Sequence, residues 1–367
     1  MTRGDLTLFL GGDVMTGRGI DQILLHGGDP TLREPAVTDA RNYVRLAERA
    51  NGPIPVPVDD AWPWGEALPV LDDFAPDARI LNLETAVTAD GDFAPGKAVH
   101  YRMHPDNVGC LTVVRPDICV LANNHVLDFG PTGLADTLRA LSAAGIQPVG
   151  AGRSADDAKQ PAVLEVSDGA RVVIAAAAMT SSGVPRVWAA TANRPGVVVS
   201  EVSERAAVEL AERLVALKRL GDIGVVSLHW GSNWGYTVES EQVRFAHRLV
   251  DAGVDVVHGH SSHHPRPVEV YRGKLILYGC GDTINDYEGI GGYEQYRDEL
   301  RLLYFATIEQ DRGALGTLRL VPMRARRMRL EHASPGDAEW LRRTLEDASR
   351  PFGTMCHAEA DGTFTVR

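Results

Sequence analysis

The sequence has no long apolar run, few cysteines and a shortage of basic charge, and each lack removes a class of protein. No segment approaches the roughly 20 consecutive apolar residues that a membrane-spanning helix needs. At the amino terminus only residues 6–10 are apolar before Gly11, Gly12 and Asp13, too short a run for the core of a secretion signal. A soluble, cytoplasmic protein with no membrane partner is the expectation. The four cysteines, Cys110, Cys119, Cys280 and Cys356, have no close-paired ligand spacing. They supply no structural zinc set, and nothing demands an oxidising compartment. Thirty-seven Lys plus Arg against 49 Asp plus Glu leave a net charge of -12, which disfavours nucleic-acid backbones as partners. A bound metal can still create a local site for an anion, because its charge outweighs the global balance.

What is present is an ordinary apolar fraction, 44% of 367 residues, enough for a sizeable core in one large or two small domains. Short apolar runs alternate with amphipathic stretches, which indicates an α/β fold. Strands are predicted at 6–10, 79–83, 118–122, 146–149, 171–177, 223–228, 254–257 and 274–278. Helices are predicted at about 40–50, 134–144, 204–220 and 240–251, with a terminal hairpin at 301–309 and 315–330 and a closing helix at 335–349. Residues 51–69 carry Pro53, Pro55, Pro57, Pro63 and Pro69 and cannot form a regular internal element. A loop of that length is often a lid or a binding loop, and Trp62 and Trp64 would either line a pocket or pack the loop.

Five of the apolar runs end abruptly in polar, metal-capable side chains. The clearest is 118–122, followed by Asn123, Asn124, His125, Asp128 and Gly130. Buried parallel strands read as continuous apolar runs, and ligands of open α/β sheets collect beyond their carboxyl ends. An amide beside an imidazole there offers a metal one oxygen and one nitrogen; a capped turn would use the same residues. The first strand delivers Asp13 after two glycines, and the second delivers Asn82 and Glu84, which alternate with Leu83 and share a side. Glu84 is a candidate to be shared by two ions. The strand at 223–228 runs into His229, and 254–257 runs into His258, Gly259, His260, Ser261, Ser262, His263 and His264. Not all four of these histidines can be ligands; His260 and His263 are the choices, His264 suits a substrate contact, and His258 is expected to point towards the core.

The predicted metal set is therefore Asp13, Glu84, Asn124, His229, His260 and His263, with His125 beside it. Mixed carboxylate, amide and imidazole donors suit one or two divalent ions such as Mn, Fe, Co, Ni or Zn. Asp282, which follows the strand at 274–278, is a candidate to orient a ligand or move a proton. Arg18 and Arg102 are candidate contacts for an anionic substrate, and Trp188, Trp230 and Trp234 for an aromatic group; solvent-facing arginines and core tryptophans are the alternatives.

Taken in order, GGDVMTGRG at 11–19, NLETAVT at 82–88, LANNHVLDFG at 121–130, SLHWGSNW at 227–234 and GHSSHHPRPVEVYRGKLILYGCGD at 259–282 resemble the CapA family of capsule and poly-gamma-glutamate synthesis. That family is related in fold to the calcineurin-like metallophosphoesterases. The resemblance implies a four-layer αββα sandwich with a dimetal cleft at the strand ends. It assigns the metals to Asp13, Glu84, Asn124, His229, His260 and His263, and proton transfer or phosphate contact to His125. Two motifs depart from the phosphoesterase pattern. Asp13-Val14-Met15 lacks the histidine of Asp-x-His, and NLE replaces GDxxD. Many relatives also carry a membrane anchor, which is not expected here because no apolar run is long enough.

One soluble branch that the chain resembles is the lasso-peptide epimerases. On that resemblance residues 1–332 form the metal-dependent catalytic domain with long active-side loops, and 333–367 a helix and tail packed on it. The expected activity is inversion of the Cα of an aromatic C-terminal residue in a ribosomal precursor peptide. Cations would hold the terminal carboxylate, and His125 with His264 or Asp282 would exchange the proton from opposite faces. The alternatives are a dimetal phosphoesterase or other metallohydrolase, and a protein of poly-gamma-glutamate synthesis or export.

Overall fold

The apolar run at 6–10 becomes the strand Asp5–Val14, near the middle of a ten-stranded sheet in the computed structural model, which describes residues 4–166 and 169–366. Ala78–Leu83, Ile118–Val120 and Gln147–Val149 follow on one side, each parallel to the last. On the other side Leu300–Glu309 pairs antiparallel and turns into Ala314–Ala325, the predicted hairpin. A seven-stranded sheet faces the first. Its parallel strands are Arg171–Met179, Ile223–His229, Val256–His260 and Lys274–Leu277, with Val268–Tyr271 antiparallel at the edge.

The two-residue period of a strand explains the layering. In Arg171–Met179, Val172, Ile174, Ala176 and Ala178 enter the core shared with the larger sheet. Val173, Ala175, Ala177 and Met179 face the other way and pack with Leu210, Leu214, Phe245 and Leu249 of the helices Glu204–Val215 and Ser240–Asp251. Both faces are covered, so the strand is apolar throughout. Those helices start where side chains satisfy their free amides: Ser203 accepts from Ala206, and Glu239 and Gln242 form a capping box. Beyond the larger sheet, Phe74 of the helix Ala67–Phe74 stacks at 4.0 Å on Phe305, which also meets Phe9. The result is the predicted α/β sandwich of helix, sheet, sheet and helix.

Residues 352–367 carry no readable pattern, yet Phe364–Val366 adds to the larger sheet beside Ala314–Ala325. That pairing is decided by a partner more than forty residues away, which local patterning does not reveal. Arg367 and residues 1–3 lie outside the described residues. Ala338, Leu341 and Leu345 of the closing helix Pro335–Ser349 join the main core. Among the described residues no helix is long and apolar enough to cross a membrane.

Parallel strands present their carboxyl ends together. Asp13 pairs in register with Asn82, and His229 with His260, near the carboxyl ends of their strands, and Asp282 joins Asp13 as the first residue of the short parallel strand Asp282–Ile284.

Candidate metal centre

Asp13 is the hub of the site. One of its oxygens accepts from the Asn82 amide at 2.7 Å and the other from the backbone N–H of Ser261 at 3.1 Å. Ser261 adopts a φ of 102°, unusual for a residue with a side chain, to aim that amide. Asp13, His229 and His260 bring donor atoms within 4.8 Å of one another, and so do Asp13, His263 and Asp282; all five are buried. Two three-donor groups sharing one carboxylate are what a pair of bridged cations requires. Glu84 is the residue expected to be shared; the residue common to these two donor groups is Asp13.

The proton positions around His260 follow from its neighbours. His258 donates through Nε2 to the Gly11 carbonyl at 2.9 Å, pointing into the core as expected. Burial lowers its pKa to about 4, so the ring is neutral and its Nδ1 accepts from Ser227 Oγ at 3.1 Å. Ser227 then accepts from His260 Nε2 at 2.9 Å. His260 Nδ1 is left as a lone pair, 2.8 Å from His229 Nδ1.

Glu84 stands on the other side of His229. Its Oε1 is 3.8 Å from both His229 Nε2 and His125 Nε2, while its Oε2 is buried with no hydrogen-bond partner. Asn124 Oδ1 lies 3.1 Å from His229 Nε2. An orphaned carboxylate oxygen among imidazole lone pairs needs a proton or a cation. The residues therefore fit a divalent metal, and the oxygen–nitrogen mixture suits Mn, Fe, Co, Ni or Zn.

The electrostatics agree with the geometry. Burial, and then the neighbouring Asp282, raise Asp13 to about 7. Burial and the adjacent Asp13 hold Glu84 well above the carboxylate range. Burial keeps His229 and His260 well below the imidazole range, hence neutral and able to offer lone pairs. Burial opposes charge on His263 too, but Asp282 at 3.0 Å outweighs it and raises that pKa. A cation placed among these groups would relieve the crowding of desolvated carboxylates.

His125 has a different environment. Its Nδ1 is 2.6 Å from Asp128 Oδ2, and its other nitrogen faces Glu84. Asp128 is held in turn by Lys97 at 2.5 Å and by the Tyr101 backbone N–H at 2.7 Å. Burial, with Lys97 adding to it and Asp128 opposing, lowers His125 to about 4. An imidazole oriented by a carboxylate, with one nitrogen towards the cluster, is arranged to carry a proton. Lys97 has no sequence signal, whereas Asp128 sits three residues after His125 in the central motif.

Several expected contacts lie elsewhere. Arg18 is 4% exposed, pairs with Glu34 at 2.9 Å and with Asp286 at 2.5 Å, and rests on the Tyr43 and Tyr101 rings. Its loop folds back onto its own counter-ions, so it has no free face for substrate. Arg102 likewise engages Asp29 and lies over Phe129. Trp230 is fully buried, stacked on Tyr278 with its Nε1–H on the Tyr278 carbonyl, and Trp64 is a core residue whose Nε1–H meets the Cys110 carbonyl. His264 donates through Nδ1 to the Pro265 carbonyl and accepts the Gly235 N–H through Nε2, so neither nitrogen is free. Asp282, expected to orient a ligand or move a proton, lies 3.0 Å from His263 Nδ1, belongs to the second donor group and also accepts from Asn285 at 2.5 Å. Trp234 does reach the site: its ring is 5.3 Å from His263 and stacks on Tyr293 at 4.0 Å. Asn82, Ser227, Lys97 and Tyr287 are the supporting residues that strand-end reasoning left unassigned.

The sequence pattern described as "Bacterial capsule synthesis protein PGA_cap" matches residues 7–287, a span that contains every donor above. The chain belongs to this family. PGA_cap proteins form part of the metallophosphoesterase-like superfamily. A Mycobacterium tuberculosis relative (strain CDC 1551 / Oshkosh) called "probable polyglutamine synthesis accessory protein" is 56% identical over 363 residues, covering 98% of this chain and 96% of its own. The Bacillus subtilis "PGA biosynthesis protein CapA" is 32% identical over 226 residues, covering 61% of this chain and 56% of its own. The Bacillus anthracis "capsule biosynthesis protein CapA" is 26% identical over 300 residues, covering 82% and 63%.

Proposed function

We propose that this PGA_cap protein is a divalent-metal-dependent hydrolase that serves glutamate-polymer synthesis, cleaving an amide bond of the polymer. The observation that carries the reading is the sharing of Asp13 between two donor groups. Bound divalent ions would supply Lewis acidity and a water acidic enough to ionise near neutral pH. Asn82 and Ser261 fix Asp13 from both sides, and Ser227 fixes His260. His125, oriented by Asp128, carries the proton that the departing nitrogen must receive, while the hydroxyl of water ends on the carbonyl carbon.

The relatives' names concern polymer and capsule synthesis and lend nothing to peptide epimerisation. Geometry also favours hydrolysis. Inversion at Cα requires carriers on both faces, and of the two candidates to partner His125, His264 has both ring nitrogens engaged and Asp282 is held by His263 and Asn285. Hydrolysis requires one.

The test uses purified protein loaded with Mn or Zn and three substrates: poly-gamma-glutamate, a chromogenic phosphodiester, and a precursor peptide in heavy water. Metal-dependent shortening of the polymer with release of free amine, lost in Asp13→Asn, is the expected result. Phosphodiester cleavage alone would overturn the substrate assignment. Deuterium at an inverted peptide centre with no chain shortening would restore the epimerase.

A further inference from the structure

A cavity of about 370 Å³ shares a wall with the metal centre. Asn285 and Tyr287 line it, and the same two side chains touch the donors: Asn285 donates to Asp282, and the Tyr287 hydroxyl is 3.4 Å from His263 Nε2. Arg301 also lines it and is only 1% exposed. Its Nη1 donates to the carbonyls of Asp298 and Leu300, its Nε has no partner, and among the described residues it joins no ion pair. A buried guanidinium without a counter-ion is costly to keep, and such groups are otherwise paired.

Among the described residues no acid around the cavity forms a contact ion pair with Arg301, although the Asp298 carboxyl feels its positive charge. Glu288 accepts the backbone N–H groups of Arg327 and Met328, Glu299 pairs with Arg297 at 2.8 Å, and Glu294 accepts from Gly292. Asp298 also lines the cavity but makes no ion pair with Arg301, contributing its carbonyl instead. The wall therefore holds a guanidinium with no contact ion pair and an unpartnered Nε, able to receive a further anion.

We propose that the cavity is an oxyanion subsite in which Arg301 receives a carboxylate of the substrate while the bond to be cut lies at the metal centre. The planar guanidinium matches a carboxylate through two parallel hydrogen bonds. This rests on the glutamate-polymer reading above: a gamma-linked glutamate chain carries a free carboxylate on each unit, so a segment crossing the donors brings one to the adjoining cavity. Inorganic phosphate has the same charge chemistry and is the competing source.

The experiment measures binding to full-length, metal-loaded protein by calorimetry. The probes are tri-gamma-glutamate, its carboxamide counterpart without free carboxylates, and inorganic phosphate. Wild type is expected to prefer the carboxylate form at least tenfold. Arg301→Met should abolish that preference, Arg301→Lys should keep part of it, and metal content should not change. Ile290→Asp, which places a negative charge on the cavity wall from a half-buried loop position, gives the same readout if Arg301→Met does not fold. Equal preference in wild type and variants overturns the subsite. Phosphate binding that depends on Arg301, with the two oligomers bound alike, overturns the carboxylate assignment. Polymer cleavage with no carboxylate preference sinks the subsite alone, whereas preference without cleavage supports the subsite and sinks the catalytic reading.

Discussion

Asp13, near the carboxyl end of its strand, stands in register with Asp282, the first residue of the parallel strand Asp282–Ile284, two buried carboxylates whose donor atoms lie within 4.8 Å of His263 and of each other. Only Asp13 also belongs to the group with His229 and His260. Loss of Asp13 should therefore empty both positions, while loss of Asp282 or His260 should empty one. Metal analysis of Asp13→Ala, Asp282→Ala and His260→Ala, each checked for folding by circular dichroism, tests this. Equal partial loss in all three would mean that Asp13 is not shared.

Metal affinity should rise with pH. Without metal, Asp13 has a pKa of about 7 against an ordinary value of 3.8. Between these values the folded chain holds a proton that the unfolded chain has released, so this carboxyl destabilises the metal-free fold as pH rises. Metal must displace that proton, so affinity should fall about tenfold per pH unit below 7 for this one site. Glu84, also raised well above the carboxylate range by burial and Asp13, makes the slope steeper. The gain in melting temperature on adding Mn, measured from pH 5 to 8, should grow with pH in wild type and flatten in Asp13→Asn. A gain independent of pH would remove the carboxyls from the centre.

The pairing of His125 with Asp128 separates proton transfer from metal binding. His125→Ala should lower turnover by about 10²–10⁴-fold, the usual contribution of a positioned proton carrier, with metal content preserved. Asp128→Asn should act in the same direction through the orientation of His125, and it also weakens the Lys97 contact. Comparable metal loss in His125→Ala and His260→Ala would make His125 a ligand.

Much of this centre was legible because doubly buried parallel strands leave apolar runs, and the first polar residue after each run lies at its carboxyl end. Asp13 and His229 follow from that ground alone, whereas Glu84, Asn124 and His260 each needed a choice among adjacent polar residues. Side-chain direction was readable in part. Ser227 and His229 share one face of their strand, so Trp230 had to point away, and it does, into the layer of Phe245 and Tyr278. Register was not readable: nothing local says that Asp13 lies between Asn82 and Asp282, and so its membership of both donor groups was not foreseen. Nor does a loop disclose its distant partners. The counter-ions of Arg18 come from 16 and 268 residues along the chain.

Arg18 gives the sharpest separation between a structural and a substrate-binding role. Its guanidinium joins Glu34 and Asp286, all three side chains are nearly inaccessible, and Tyr43 donates its hydroxyl to Glu34 within the same cluster. Arg18→Met leaves two buried carboxylates without their cation. Breaking one side of a buried ion pair costs about 3–5 kcal/mol, so the urea midpoint should fall steeply. Adding Glu34→Gln to Arg18→Met removes one of the orphaned charges and should recover part of the loss, which a simple deletion of packing would not allow. Where the variant remains folded at low temperature, KM should stay near the wild-type value because the side chain does not face the cleft. A raised KM with unchanged stability would return Arg18 to the role of a substrate contact and place the buried cluster in doubt.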